Sequence, residues 1–489
     1  MRIQLAFCGH DGPLAPMWIA LLAAWCACGC GQEHGRPDVV LSLPASAESA
    51  IASNPTISSA ATFQPSAVPG EAADRTEPAV ADLNWPGWRG ENTSGLSASQ
   101  HLPIEWTTEK CIRWKQPVPG RGNSSPVIWG DHVLITSALG EDEGSKLVVC
   151  ALDRRSGAPQ WQADAGTARG SKHNKNGYAS ASVVTDGQRV FASFGSAGLF
   201  AFDLDTGHPL WHADLGPLTH EWGSASSPVL VGQNVIQLCD SATESSLKAF
   251  DQRTGQPVWS TPRTSTGSWS TPVIIDAVDA AGQQRPELVV NGTGVDGSGS
   301  GFITAYDPAD GHELWRVQGT TDVVCPTAIV CGGLVISTSG RNGPIIAIRP
   351  GGSGDVTASR IAWKYSRGGA YVPTGVALGN RLYLIADGGV MSCLNLASGE
   401  EVWRERLKGT FTPSLVAADG HIYATNEFGT VYVLAAGDKF QTLAANDMQE
   451  RTLCTPAIAG DLFLRTETQL YCVAGGQQDD RSGQVSGNQ

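Results

Sequence analysis

The stretch Phe200–Trp211, FAFDLDTGHPLW, decides the fold because the chain repeats it. Related phrases are VCALDRRSGAPQW ending at Trp161, KAFDQRTGQPVW at Trp259, TAYDPADGHELW at Trp315 and SCLNLASGEEVW at Trp403. Aligned, they read A-x-D-x-x-x-G-x-x-x-W. Asp153, Asp203, Asp251, Asp307 and Asn395 share one position, and Gly157, Gly207, Gly255, Gly311 and Gly399 another. A diverged copy, IIAIRPGGSGDVTASRIAW, reaches Trp363 through a longer loop, and TVYVLAAGDKFQTL puts Leu443 where Trp would stand. Apolar residues in alternation, such as Phe200 and Phe202, mark a strand with one buried face. The D-x-x-x-G segment supplies a side chain that bonds the turn backbone and a Gly that tolerates positive φ. The Trp opens the return strand, and a ring at this spacing suits packing between neighbouring sheets. Trp114, Trp161, Trp211, Trp259, Trp315, Trp363 and Trp403 are therefore expected as structural docking residues.

A second phrase marks the first strand of each unit: a small or polar residue, usually with Pro, then a β-branched run. It occurs at Pro126, Ser182, Pro228, Pro272, Pro326, Pro373, Pro413 and Pro456, each followed by a Gly turn and a second strand. The last hairpin strand, LYCVA at Leu470–Ala474, has no return strand. CIRWKQP, with Trp114 at the repeat position, stands before the first unit instead. The expected fold is all-β, an eight-bladed β-propeller of four-stranded antiparallel blades over 111–475, its ring closed by an N-terminal strand. Each unit takes roughly 46 residues, and closure removes exposed sheet edges.

The flanks read differently. Met17–Gly31 is uncharged, apolar and too short to span a bilayer, which suits a signal-peptide core. The Cys residues at 26, 28 and 30 resemble a bacterial lipobox. Cys30 is the expected lipid-attachment site, with Ala27 and Gly29 before it; Cys28 is the alternative, although Trp25 precedes it by three. Residues 1–30 are thus read as signal peptide and lipobox, and 31–82, rich in Ala, Ser and Pro, as a disordered tether. Residues 83–110, with Trp85, Trp88 and Trp106, are read as an arm packed on the propeller, and 476–489 as a disordered tail.

Composition agrees with repeated sheet. The chain of 489 residues has 58 Gly, 28 Pro and 15 Trp but only 16% charged residues, against a usual ~25%. A net charge of −14 without long basic runs excludes nucleic acid as a partner.

The docking repeat, at this spacing and number, resembles that of the quinoprotein, or PQQ-like, eight-bladed propellers over about Trp85 to Gly475. That resemblance implies one of two classes: quinone-dependent periplasmic dehydrogenases, or non-enzymatic BamB-type lipoproteins of the outer-membrane β-barrel assembly machinery. In the dehydrogenases the quinone lies in the central channel under a disulfide between adjacent Cys, beside Ca²⁺ and a general-base Asp. This chain has no Cys-Cys pair, so PQQ is disfavoured and no cofactor-binding, metal-binding or catalytic residue is assigned. H-E-x-x-H and G-x-S-x-G are missing, VDGSGSGF at Val295–Phe302 lacks the ending of a phosphate loop, and His220–Glu221 reads as surface. The expectation is an exported, periplasmic, lipid-anchored monomer acting as a protein-interaction scaffold. Its partners would be envelope-assembly components or unfolded outer-membrane proteins, with membrane contact only through the anchor. A PQQ-dependent dehydrogenase and a ligand- or carbohydrate-binding propeller are the alternatives. Candidate binding-rim residues are Arg169, Lys172 and Tyr178 in ARGSKHNKNGY, and Arg367 and Tyr371 in RGGAY.

Overall fold

The computed structural model describes residues 83–278, 282–293, 300–321 and 323–474, all within one compact unit, Asp74–Gln489. Residues 1–30 with the cysteines expected to carry lipid, the segments 31–82 and 476–489 read as tether and tail, and most of VDGSGSGF lie outside the described residues. Eight antiparallel sheets follow one another along the chain. Blade 1 comprises Val127–Trp129, His132–Leu139, Lys146–Asp153 and Pro159–Thr167, and blade 2 comprises Val184–Thr185, Arg189–Ser193, Leu199–Asp203 and Pro209–Ala213. Blades 3 to 7 occupy 229–263, 273–320, 329–365, 376–406 and 416–447. Blade 8 takes Ala457–Ala459, Asp461–Arg465 and Gln469–Val473 from one end of the propeller and Ile112–Pro117, as its outermost strand, from the other. Trp114 pairs with Cys472 across that junction.

Antiparallel order sorts the connections onto two faces. The first-to-second and third-to-fourth strand turns share one, here the turn face. The second-to-third turns and the connections between blades share the other, the loop face.

On the turn face the repeat explains itself. Asp203 Oδ1 accepts the amide of Thr206 at 2.9 Å and its hydroxyl at 2.6 Å, and Gly207 adopts φ 68°. The ring of Trp161, from the preceding blade, covers that glycine, and its Nε1 donates to Leu204 O at 2.9 Å. The same bond runs from Trp114 to Arg154 O, Trp211 to Gln252 O, Trp259 to Pro308 O, Trp363 to Leu396 O and Trp403 to Gly437 O. Each Trp thus docks on the turn of the next blade.

Two departures follow from this rule. Blade 8 has no third-to-fourth turn, so a Trp at Leu443 would have no dock. Trp106 from the N-terminal segment shares the apolar cluster containing Leu443 and Tyr423. Trp315 departs from the uniform role expected for the seven. Blade 5 replaces the turn it would meet with a longer excursion, Gly354–Asp355 and the helix Thr357–Arg360, and Gly354–Asp355 lies parallel along the outer strand of blade 4. Trp315 Nε1 donates instead to Glu287 Oε2 of its own blade, at 2.7 Å.

The start phrase also needs a correction of register. Strand pairing aligns Ser125, Ser182, Ser227, Thr271, Thr327, Thr374, Ser414 and Thr455, with Pro after the hydroxyl residue in blades 1, 3, 4 and 8 and before it in blades 5, 6 and 7. The hydroxyl is the fixed element. The backbone N–H of each donates to the hydroxyl of the next, from Ser125 to Ser182 and onward to Thr455, at 2.9–3.1 Å. This ring satisfies backbone amides at the strand starts, where no ladder partner exists. Ser125 Oγ, at the seam between blades 8 and 1, is buried without a partner among the described residues.

Candidate functional site

The segment WPGWRGENTSG, Trp85–Gly95, closes the channel from the turn face. Trp85 forms a bridge with Ile128 of blade 1, and Thr185 N of blade 2 donates to Pro86 O. Asn92 exchanges two bonds with Ile274 of blade 4, and Ala417 N of blade 7 donates to Gly95 O. Arg89 Nη2 donates to Gly375 O of blade 6 at 2.6 Å and to Leu415 O of blade 7 at 3.1 Å. Blades 2 and 6 stand opposite each other, so a segment touching both inner strands must cross the axis. Its glycines are dictated by contact: a Cβ at Gly90 would lie 2.7 Å from Trp85 Cε3, and one at Gly95 2.9 Å from Arg89 Cζ. Burial lowers the Arg89 pKa to about 9, yet the guanidinium remains charged at neutral pH and shares that charge with carbonyl oxygens.

The opposite end, on the loop face, carries the residues singled out in the sequence. Arg169 is exposed. Lys172 lies with Nζ 5.5 Å from the Tyr178 ring centre, and Tyr178 Oη donates to Gly170 O at 2.8 Å. Arg367 is exposed in the connection between blades 5 and 6. Tyr371, in the same connection, stacks under Arg341 at 5.5 Å and donates its backbone N–H to Asp387 Oδ2. The two rim segments therefore share a face but form separate clusters. Burial raises the Asp387 pKa, while hydrogen bonds from backbone amides and the charge of Lys175 pull it down.

A cavity of about 360 Å³ opens at the seam of blades 8 and 1, with Lys172 and Tyr178 in its wall. Lys175, from the same ARGSKHNKNGY stretch, joins them, together with Arg121 and Arg451, neither of which was singled out from the sequence. Lys175 Nζ reaches Glu427 of blade 7 at 2.8 Å, with Arg451 at 4.0 Å from the same carboxylate. Arg121 bridges Glu141 at 3.0 Å and Glu467 at 2.8 Å. Beneath Gly122 lies Arg465, 2% exposed. It is bonded to Ser124 Oγ at 2.7 Å, Thr136 O at 2.8 Å and Ser137 Oγ at 3.0 Å. Burial lowers its pKa.

His220 proves to be more than surface. It is half-buried against Trp269 and Trp222, with ring centres 4.7 and 5.2 Å away. Burial lowers its pKa, with Glu221 opposing. The three come from two inter-blade connections, which spacing in the sequence does not reveal.

The described residues do not fit a quinone site. All eight cysteines from Cys111 to Cys472 are free thiols. Burial raises Cys150 to about 11 and Cys239 to about 12, as for inert core thiols. The channel that the quinone of the resembled dehydrogenases would use is crossed by the chain's own Trp85–Gly95. Among the described residues one trio of potential metal ligands comes together, Asp307, Asp310 and His312. It lies at a docking turn on the turn face, where Asp310 Oδ1 accepts the His312 amide and faces His312 Nδ1. No helix among the described residues is long and apolar enough to cross a membrane.

Comparison with known proteins places this geometry in a family context. The family model described as outer membrane protein assembly factor BamB matches residues 104–289 and 299–474. The chain is 23% identical over 301 residues to outer membrane protein assembly factor BamB of Yersinia pestis, covering 58% of this chain and 71% of that protein. To the protein of the same name from Burkholderia pseudomallei (strain K96243) it is 27% identical over 213 residues, 42% of this chain and 46% of the relative. Among solved structures, BamB from Moraxella catarrhalis superposes with a TM-score of 0.54 at 15% identity, over 75% of this chain and 97% of that one. That likeness is one of fold.

Proposed function

The chain belongs to the family of outer membrane protein assembly factor BamB, and from that premise we propose that it is a non-enzymatic scaffold for envelope or outer-membrane protein assembly. Partners dock on the loop face. The carrying observation is the asymmetry of the two faces: Trp85–Gly95 crosses the turn-face end of the channel, whereas the loop face carries Lys172 beside Tyr178, Tyr371 beside Arg341, and the Trp222–Trp269 pair. Tyr and Trp side chains of this kind anchor protein interfaces. Components of the β-barrel assembly machinery and unfolded outer-membrane proteins are the partner classes proposed. In this reading the protein is an exported periplasmic monomer held to a membrane by lipid on Cys30, or on Cys28, through the tether 31–82. The folded unit begins with the arm at 83–110 and continues as the propeller over 111–475, with 476–489 as a tail.

Two measurements test this. Affinity purification from solubilised membranes should recover subunits of the β-barrel assembly machinery. Incubation with PQQ and Ca²⁺ should give neither a bound quinone absorption band nor dye-linked alcohol or sugar oxidation; stoichiometric uptake with turnover would replace the scaffold with a dehydrogenase. The His220–Trp222–Trp269 cluster favours a second reading, carbohydrate binding, because sugars stack on indole faces. Quenching of Trp fluorescence by oligosaccharides would support it.

A further inference from the structure

The structure assigns an acidic peptide segment as the occupant of the cavity at the seam of blades 8 and 1; the assignment rests on the scaffold reading and names the chemistry of one partner contact. The chain as a whole carries a net charge of −14, yet this wall gathers Arg121, Lys172, Lys175 and Arg451 against only Glu141 and Glu467. Both carboxylates are already paired with Arg121. Lys175 and Arg451 converge on a third, nearly buried carboxylate, Glu427, so these three cations and three carboxylates balance and Lys172 is the surplus charge. Lys172 has an aromatic face but no carboxylate among the described residues.

Below the wall a further feature points the same way. Arg465 is fully buried, it bonds to the neutral groups Ser124 Oγ, Thr136 O and Ser137 Oγ, and its Nε has no partner among the described residues. A Cβ on Gly122, which lines the cavity, would lie 2.8 Å from Arg465 Nη2, so the glycine leaves only backbone between the guanidinium and the opening. A buried cation without a counter-ion is costly, and an incoming carboxylate above Gly122 lowers that cost at short range.

Size favours a peptide over a free anion. The cavity, about 360 Å³, falls at the lower end of ligand pockets, ~300–1,000 Å³, room for side chains rather than for one ion. Several cations around one opening also steer an acidic partner, an effect that weakens with salt.

The test uses the full chain and a fluorescein-labelled synthetic peptide of alternating Glu and Leu, followed by anisotropy, with a Lys/Leu peptide of equal length as control. The acidic peptide is expected to bind at least tenfold more tightly than the basic one, and more weakly at 300 mM than at 50 mM salt. K172E/R451E should cost at least tenfold, and R155E on the turn face nothing. Thermal melting checks that K172E/R451E is folded, and Lys172→Ala, at a solvent-reaching side chain, serves as a milder variant expected to lose affinity. Equal binding of both peptides, indifference to K172E/R451E and to Lys172→Ala, or displacement by an equimolar concentration of inorganic phosphate would overturn the assignment. The co-purification described above is read on the same preparations. If assembly subunits still co-purify while the acidic peptide fails, only the peptide assignment falls; if co-purification fails, the scaffold reading itself falls.

Discussion

The indole of Trp161 in blade 1 lies against the α-carbon of Gly207 in blade 2, so closely that a Cβ there would sit 2.5 Å from Trp161 Cδ2. Gly207 also holds φ 68°. Replacing it with Ala therefore combines left-handed strain with a collision against a ring that cannot retreat. Gly207→Ala is expected to cost about 3 kcal/mol. Gly232→Ala is the control: φ is 56° but nothing lies within 4 Å, so strain alone should cost about 1 kcal/mol. Urea midpoints of the two variants measure the difference, and equal losses would mean the docking contact is loose.

The Asp of the same turn makes stability pH-dependent. The Thr206 hydroxyl and amide hold the Asp203 carboxyl below its ordinary range. Because the folded-state pKa is depressed, the unfolded chain takes up its proton first as pH falls. The contribution is complete above about pH 4 and disappears as pH drops through the lower folded value. Asn395 shows that an amide keeps the turn, its Oδ1 accepting from Ala397 N and Ser398 N. Asp203→Asn should leave stability at pH 7 nearly unchanged and flatten the acid limb below about pH 4, as read from urea midpoints across pH.

Glu287 should be among the more sensitive carboxylates of the core. It is fully buried, receives Trp315 Nε1 and Gly351 N on Oε2, and pairs with Arg285 through Oε1. Glu287→Gln removes the charge opposite Arg285 and forces one oxygen to become an amide nitrogen. A loss of about 2 kcal/mol is expected, together with a shift in Trp emission as the Trp315 bond weakens. A neutral result would show that Trp315 is held by packing alone.

Arg89→Met keeps the length of the side chain but withdraws the donors to Gly375 O and Leu415 O. Two buried carbonyls left unpaired should cost about 3 kcal/mol. Hydrogen exchange should quicken at the strand starts of blades 6 and 7, with blade 3 as the unaffected reference. Uniform acceleration across all blades would mean that Arg89 holds the ring as a whole.

The blade count, the ring closure and six of the seven docking tryptophans could be read from the sequence because each rests on a local pattern repeated many times; Trp315 departs because the turn it would meet is replaced in blade 5. Leu443 could be noticed but not explained, since its cause is the turn missing from blade 8. The Pro-marked start phrase misled by one residue: Pro shapes the chain on either side of the hydroxyl, whereas only Ser or Thr can accept the neighbour's amide. Arg121, Glu427 and Arg451 carried no local signal, because they come from different blades and meet only when the ring closes. His220 was misjudged for the same reason, its partner Trp269 lying in another inter-blade connection.

Site-resolved photo-crosslinking in intact cells tests the scaffold reading most directly. A crosslinking residue is placed at Arg169, Tyr178, Arg367 or Tyr371 on the loop face, and at Arg253, Ala309 or Ser398 on the turn face. The expected result is adducts with subunits of the β-barrel assembly machinery, or with outer-membrane precursors, from the loop-face positions and none from the turn face. Adducts confined to the turn face, or none from either face while the chain binds PQQ and turns over, would contradict it.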